Sequence, residues 1–470
     1  MAKTDFDFRD YRVSDLAAEV RSRTRSAREL TEATLARIEQ VEPELNAFVV
    51  VDAEQALETA AEIDRRLVAG EGVGPLAGIP LAVKDLEDVA GLPTRLGSRL
   101  SSTEPARGDS VLVARLRAAG CVVIGKTTTP EYGHKGATEC GLTGDTLNPW
   151  NLERTPGGSS GGSAAALASG MVPLATGSDG GGSIRLPAAI CGLSGIKTTQ
   201  GRVPNGGPNP PGSAHFSVKG PMTVQIADAA FALDVAVGPH PTDPQSLPRS
   251  GAPWYEAVAT ARLPSSVVWS PTLGFAEVDA EIAAVTKAAV DRLADLGVEI
   301  IEIDDIWPTD PLEPWWNLWI ALRARTQGHL IDTPEWDLID PSLQFQVERG
   351  LKLSGVDVAR SLDAVHEYNL QLDRAFEQSP LLLTPAAAGQ TPFIGRQGTI
   401  NGEETPSWVK FSYGFNLTRN PAGTVNCGFT ADGMPVGLQV VARQLGDVSV
   451  IQTIASFEEV FASDARAAIG

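Results

Sequence analysis

RTPGGSSGGSAAALASGMVPLATGSDGGGSIRLPAAICG, residues 154–192, decides the fold class. It opens on a Gly/Ser turn, enters an Ala-rich helix, returns through the short strand MVPLATG and closes on a second Gly-rich turn. Helix and strand alternating across short connections is α/β text. The flanks agree. Upstream, DSVLVARLRAAG reads as a helix closed by Gly120 and CVVIGKT (121–127) as a buried strand, while LAGIPLAVKDLEDVAG sets the apolar strand Ile79–Val83 directly before Lys84 and Asp85.

Further out, VSDLAAEVRSR and ARELTEATLARIEQV are helices, the second announced by the capping box Ser26 and Glu29. DAEQALETAAEIDRRL is a third, with an Ala-rich face suited to close packing. Downstream come the helix IADAAFALDVAVG, a strand at 263–269, the amphipathic helix AEIAAVTKAAVDRLADLG and the strand VEIIEID. LLLTPAAAG (381–389), GTVNCGFTADG (423–433) and MPVGLQVVARQ (434–444) return to strand, with DGMP (432–435) as a hairpin turn. GRVPNGGPNPPGSA (201–214) is too rich in Pro and Gly for either element and reads as a loop near the site. Four segments follow: a helical start over 1–75, a catalytic core over 76–245, a mostly helical pocket region over 281–380 and a return to the core over 381–470.

Length and composition exclude several classes. A chain of 470 residues invites two domains at a usual ~100–200 residues each, but no linker cuts it. Thirty-eight basic against 58 acidic residues give a net charge of −20, which repels phosphate backbones and anionic lipid. No nucleic-acid partner is expected. No apolar run is long enough to span a bilayer, the start lacks a signal-peptide pattern, and Cys121, Cys140, Cys191 and Cys427 are too scattered for a disulfide framework. The expected location is cytoplasmic.

The two Gly/Ser clusters, GGSSGGS (157–163) and DGGGSIR (179–185), admit a flexible loop or a phosphate-cradling nest, but no acidic partner or GxxxxGK[ST] supports the nest. Amide hydrolysis explains the second cluster better. It requires a nucleophile beside donors that stabilise an oxyanion, and Gly180, Gly181 and Gly182 leave backbone N–H groups free next to the hydroxyl of Ser183. A serine also needs a base. None of His134, His215, His240, His329 and His366 stands in a triad-like motif, although His134 and His215 suit a pocket lining, and GxSxG is absent. A lysine serves if burial neutralises it, and Lys84 ends an apolar strand. Its competing reading is an exposed strand-end lysine paired with Asp85.

AVKD (82–85), GGSSGGSAAALASG (157–170) and SDGGGSIRLPAAICGLSGIKTTQGRVP (178–204) closely resemble the amidase signature family. The likeness extends through GKTTTPEYG (125–133), GPMTVQIADAAFALDVAVG (220–238) and NLTRNPAGTVNCGFTADGMPVGLQVV (416–441), and is weak from about 245 to 380. The resemblance implies a single large α/β/α domain around a mixed, twisted central β-sheet. It implies Ser183 as nucleophile, Lys84 as base and Ser159 between them, with a cis peptide at Gly158. Gly180 through Ser183 would supply the oxyanion hole, and Ser160, Asp179 and Arg185 would be supports. Ser178 replaces the family's frequent threonine and keeps its hydroxyl. The implied chemistry needs no metal or cofactor, only water and a small amide, carbamate or ester; a homodimer is a further implication.

The family's breadth leaves three readings: a stand-alone amidase for apolar or aryl amides, the glutaminase subunit of a tRNA-dependent amidotransferase, or a silent binding member. SAHFSVKGPM and ATECGLTGDTLNPWN look more like the stand-alone enzymes. Trp307, Trp315, Trp316 and Trp319 would suit an aromatic substrate. Trp315 and Trp319, four apart on a helix, read as core, and Trp316 as the pocket residue.

Overall fold

The computed structural model describes residues 6–206 and 216–469. Its strands are β1 (Phe48–Val51), β2 (Pro80–Lys84), β3 (Val122–Thr127), the small hairpin β4 (Glu139–Cys140) and β5 (Gly144–Asp145), β6 (Leu174–Asp179), β7 (Gly195–Lys197) and β8 (Val218–Met222). There follow β9 (Ser266–Trp269), β10 (Glu299–Glu302), β11 (Leu381–Pro385), a second small hairpin of β12 (Thr399–Ile400) and β13 (Glu403–Glu404), β14 (Ala422–Phe429) and β15 (Pro435–Ala442).

The mixed sheet is delivered as two ladders. One runs β1-β3-β2-β6-β8 and the other β10-β9-β11-β15-β14-β7. In the first, β3, β2 and β6 are mutually parallel and the edge strands β1 and β8 antiparallel. In the second, β10, β9 and β11 are parallel and β15, β14 and β7 antiparallel. The ladders abut at β7 and β8, where the Ser194 N–H donates to the Val224 carbonyl at 3.1 Å. All five residues of β2 are buried, as a strand between two parallel neighbours requires.

Local signals explain the elements. Ser26 and Glu29 close their capping box ahead of helix Ala27–Leu45. The β14–β15 hairpin turns over Thr430–Gly433, where the Gly433 N–H donates to the Thr430 carbonyl at 2.9 Å, slightly ahead of the 432–435 stretch read as the turn. Helices Ala280–Asp295 and Asp447–Val460 pack on β14 and β15, and one apolar core runs through both ladders. A second cluster, built on Trp307, Trp315, Trp319, Phe411 and Phe415, joins the helices Leu312–Gln327 and Gly355–Phe376 to the sheet. All four cysteines are free thiols. Among the described residues no helix is long and apolar enough to cross a membrane. Most of the 201–214 loop, from residue 207, lies outside the described residues.

Candidate active site

Parallel strands expose their C-terminal ends as a crevice, and Lys84 stands at the end of β2 beside the end of β6. Its side chain is fully buried. Nζ donates to three hydroxyls: Ser159 Oγ and Ser160 Oγ at 2.8 Å and Ser178 Oγ at 2.9 Å. The neighbouring carboxylates are taken elsewhere. Asp85 pairs with Lys126 at 2.8 Å, Asp179 with Arg185 at 2.9 Å and Glu87 with Lys219 at 2.6 Å. The pairing of Lys84 with Asp85 considered from sequence is therefore replaced by a cross-strand pair, since successive side chains of a strand leave on opposite faces. Burial without a counter-ion pulls the Lys84 ammonium down from 10.5 to about 7, with the charges of Asp179 and Glu87 opposing the shift.

The hydroxyls come from two chain segments. Ser159 follows a cis peptide from Gly158, and Ser160 immediately precedes helix Gly161–Ala168. Gly158 has no room for a side chain, because a Cβ there would lie 2.7 Å from the Lys135 carbonyl oxygen. Ser160 Oγ also donates to the Ser178 carbonyl at 3.4 Å. Its proton is thus committed, while the proton of Ser159 remains available for transfer.

The turn after β6 is organised by Asp179. Its carboxylate accepts from the N–H groups of Gly182 (2.8 Å), Ile184 (3.2 Å) and Arg185 (3.3 Å), from the Arg185 guanidinium, and from Asn416 Nδ2 at 2.9 Å. Burial would raise this carboxyl, but Arg185, Lys197 and Asn416 hold it well below the usual carboxylate range. Arg185 then reaches Gln439 at 2.8 Å and Asn416 at 2.7 Å. One sequence expectation is corrected here: the Gly182 N–H is occupied by Asp179 and is not a free oxyanion donor. Among the described residues, the N–H groups of Gly180, Gly181 and Ser183 donate to no protein acceptor.

Half-buried Ser183 opens onto a cavity of about 840 Å³ that Gly158 and Gly181 also line. His134 lines it, with Nδ1 2.7 Å from the Glu131 carbonyl and Nε2 2.6 Å from Ser342 Oγ. Trp316 also lines it. So do Trp315 and Trp319, which combine the core role read from their spacing with a wall role that was not anticipated. Trp408, Phe345 and Tyr413 extend the aromatic lining. His215 lies outside the described residues. Sequence reading gave Ser178 no contact with the lysine and overlooked Asn416 and Gln439; only the adjacency of Ser178 to Asp179 pointed to the first. Among the described residues no three His, Cys, Asp or Glu side chains gather to hold a metal.

A family model described as Amidase matches residues 29–451. An acylamidase of Rhodococcus erythropolis is 39% identical, with 95% of this chain and 94% of that protein covered. A glutamyl-tRNA(Gln) amidotransferase subunit of Salinispora tropica is 35% identical, over 97% and 98%. Among solved structures, a bacterial aryl acylamidase of the amidase signature enzymes superposes with a TM-score of 0.90 at 29% identity, covering 97% of each chain. With a family match over most of its length and relatives aligned nearly end to end, the chain belongs to the amidase family, among the amidase signature enzymes.

Proposed function

We propose that this protein hydrolyses the C–N bond of small apolar or aryl amides through an acyl-enzyme on Ser183. The observation that carries the reading is the buried, unpaired Lys84 amine held 2.8 Å from Ser159 Oγ, in a site whose cavity is lined by Ser183. Neutral Lys84 takes the Ser159 proton while Ser159 takes that of Ser183, whose Oγ attacks the carbonyl carbon. The resulting oxyanion is met by backbone N–H groups of Gly180, Gly181 and Ser183, each such donor supplying ~3 kcal/mol. As the intermediate collapses, the proton returns along the same hydroxyl to the leaving nitrogen, the C–N bond breaks and the amine departs. Water repeats the sequence on the acyl-enzyme, releasing the acid and restoring Ser183.

The aromatic lining supports an apolar or aryl substrate. It also weighs against free glutamine, whose ionised α-groups need fixed opposite charges. Each cation at the cavity is already engaged: Lys135 with Asp340 at 3.1 Å, Lys410 with Asp310 at 3.4 Å and Arg396 with Glu404. Carbamates and esters present the same carbonyl to the same nucleophile and are secondary substrates of this reading. The test is release of p-nitroaniline from p-nitroacetanilide, set beside a small aliphatic amide, glutamine and a p-nitrophenyl ester, with Ser183→Ala as control. Turnover lost in Ser183→Ala is the expected result. Full activity in that variant would end the reading, and activity on glutamine alone would favour the amidotransferase role.

A further inference from the structure

The turn carrying Ser183 contains two peptide planes whose carbonyl ends are held by side chains from distant segments. The Gly180 carbonyl accepts from Trp315 Nε1–H at 2.9 Å, and the Gly181 carbonyl from Ser412 Oγ–H at 2.6 Å. Neither plane is cis, and in a trans peptide the N–H points away from the C=O on a rigid plate. The second plane displays the consequence: with Gly181 O on Ser412, the Gly182 N–H is aimed at Asp179 Oδ1, 2.8 Å away. In the first plane the same leverage acts on the Gly181 N–H, which has no acceptor among the described residues and belongs to a residue lining the cavity.

We infer that Trp315 is a positioning residue of the oxyanion hole, its indole N–H setting the direction of the Gly181 N–H. This rests on the proposed reading of Ser183 as nucleophile. Trp315 is well fixed for the task. Its ring stacks between Trp319 (centroids 5.5 Å) and Tyr413 (5.3 Å), and is only 9% exposed. It lies flush on the turn, since a Cβ at Gly181 would stand 2.5 Å from Trp315 Cζ2. The same ring walls the cavity, so one side chain both shapes the substrate space and aims a donor.

The test compares Trp315→Phe with Trp319→Phe on an aryl amide. The Trp319 indole N–H donates to Gln346 Oε1 and not to the turn, so its loss leaves the Gly180 carbonyl held. In Trp315→Phe, kcat is expected to fall about tenfold or more, within the range for weakening one oxyanion donor, with KM within about twofold. The Ki of an arylboronic acid, whose tetrahedral adduct on Ser183 places an oxygen against these donors, rises in proportion. Binding of the uncleaved amide to Ser183→Ala, whose wall the same ring forms, weakens on adding Trp315→Phe by no more than about twofold, well short of the rise in boronate Ki. A parental kcat, an unchanged boronate Ki, or an equal kcat loss in Trp319→Phe overturns the inference. If the phenylalanine variant fails to melt cooperatively, the benzothiophene analogue of tryptophan at position 315, which keeps the outline and lacks the N–H, is held to the same outcomes. A Ser183→Ala enzyme that still turned over would instead remove the underlying reading of the nucleophile.

Discussion

Lys84 and Lys126 lie on neighbouring parallel strands, β2 and β3, and both are fully buried, yet their surroundings differ in one respect. Lys126 faces a carboxylate, Asp85, at 2.8 Å, with longer contacts to the Pro93 carbonyl and the Thr94 hydroxyl at 3.4 Å. Lys84 faces three hydroxyls and no carboxylate closer than those already paired elsewhere. A buried ammonium paired with an anion serves as a strut between strands. One beside neutral oxygens is costly to keep charged, so it becomes a base near neutral pH. Lys197, buried against the Thr198 and Asn420 carbonyls, is likewise pulled down to about 7, so withholding the counter-ion lowers an amine and the neighbouring hydroxyls are what set Lys84 apart.

The sharpest way to break that contrast is to remove each amine in turn. Lys84→Met should lower kcat/KM by about 10²- to 10⁴-fold, the range for a lost general base, measured on any amide the enzyme accepts. Its melting temperature should change far less than that of Lys126→Met, because no carboxylate is stranded. Lys126→Met leaves Asp85 buried and unpaired, which costs about 3–5 kcal/mol of stability by denaturant unfolding. The two variants should therefore show opposite profiles, one folded and inactive, the other unstable but active where folded.

The smaller effects are read against pH. In the proposed mechanism the neutral amine of Lys84 is the working form, so kcat/KM should rise through about pH 7 and level off above it. The linked stability has a definite sign. The folded value lies below the ordinary 10.5, so the cost of burying the charge is full below about pH 7 and is relieved as pH climbs toward 10.5. Ser178→Ala removes one acceptor that favours the charged amine, and should move the kcat/KM midpoint downward by less than about one pH unit. An upward move would show that Ser178 donates to the amine instead of accepting from it.

Much of this was legible in one dimension. The apolar run ending at Lys84, the box at Ser26 and Glu29, and the DGMP hairpin are local features, governed by neighbours within a few residues. What stayed hidden depends on contacts between distant segments. Asp85 chooses Lys126 because β3 lies beside β2, and Asp179 captures the Gly182 N–H because the turn after β6 folds back on its own first residue. A spacing of four marks Trp315 and Trp319 as core. The spacing is right, but it does not say that the helix lays that face against the glycines of another turn. Ser178, legible only as a substitute for threonine, proves to be one of the three acceptors of the lysine.

The seam between the two ladders has a consequence for how the protein gains activity during folding. Asp179 belongs to β6 in one ladder, and Arg185, bound to it, reaches Gln439 of β15 in the other. The catalytic loop is thus a rivet through both halves, set only when each has formed. A fragment ending before β9 would contain Lys84, Ser159 and Ser183 and still lack the side chain that fixes Arg185. Recovery of turnover on refolding should accordingly trail the first secondary structure and coincide with docking of the C-terminal hairpin.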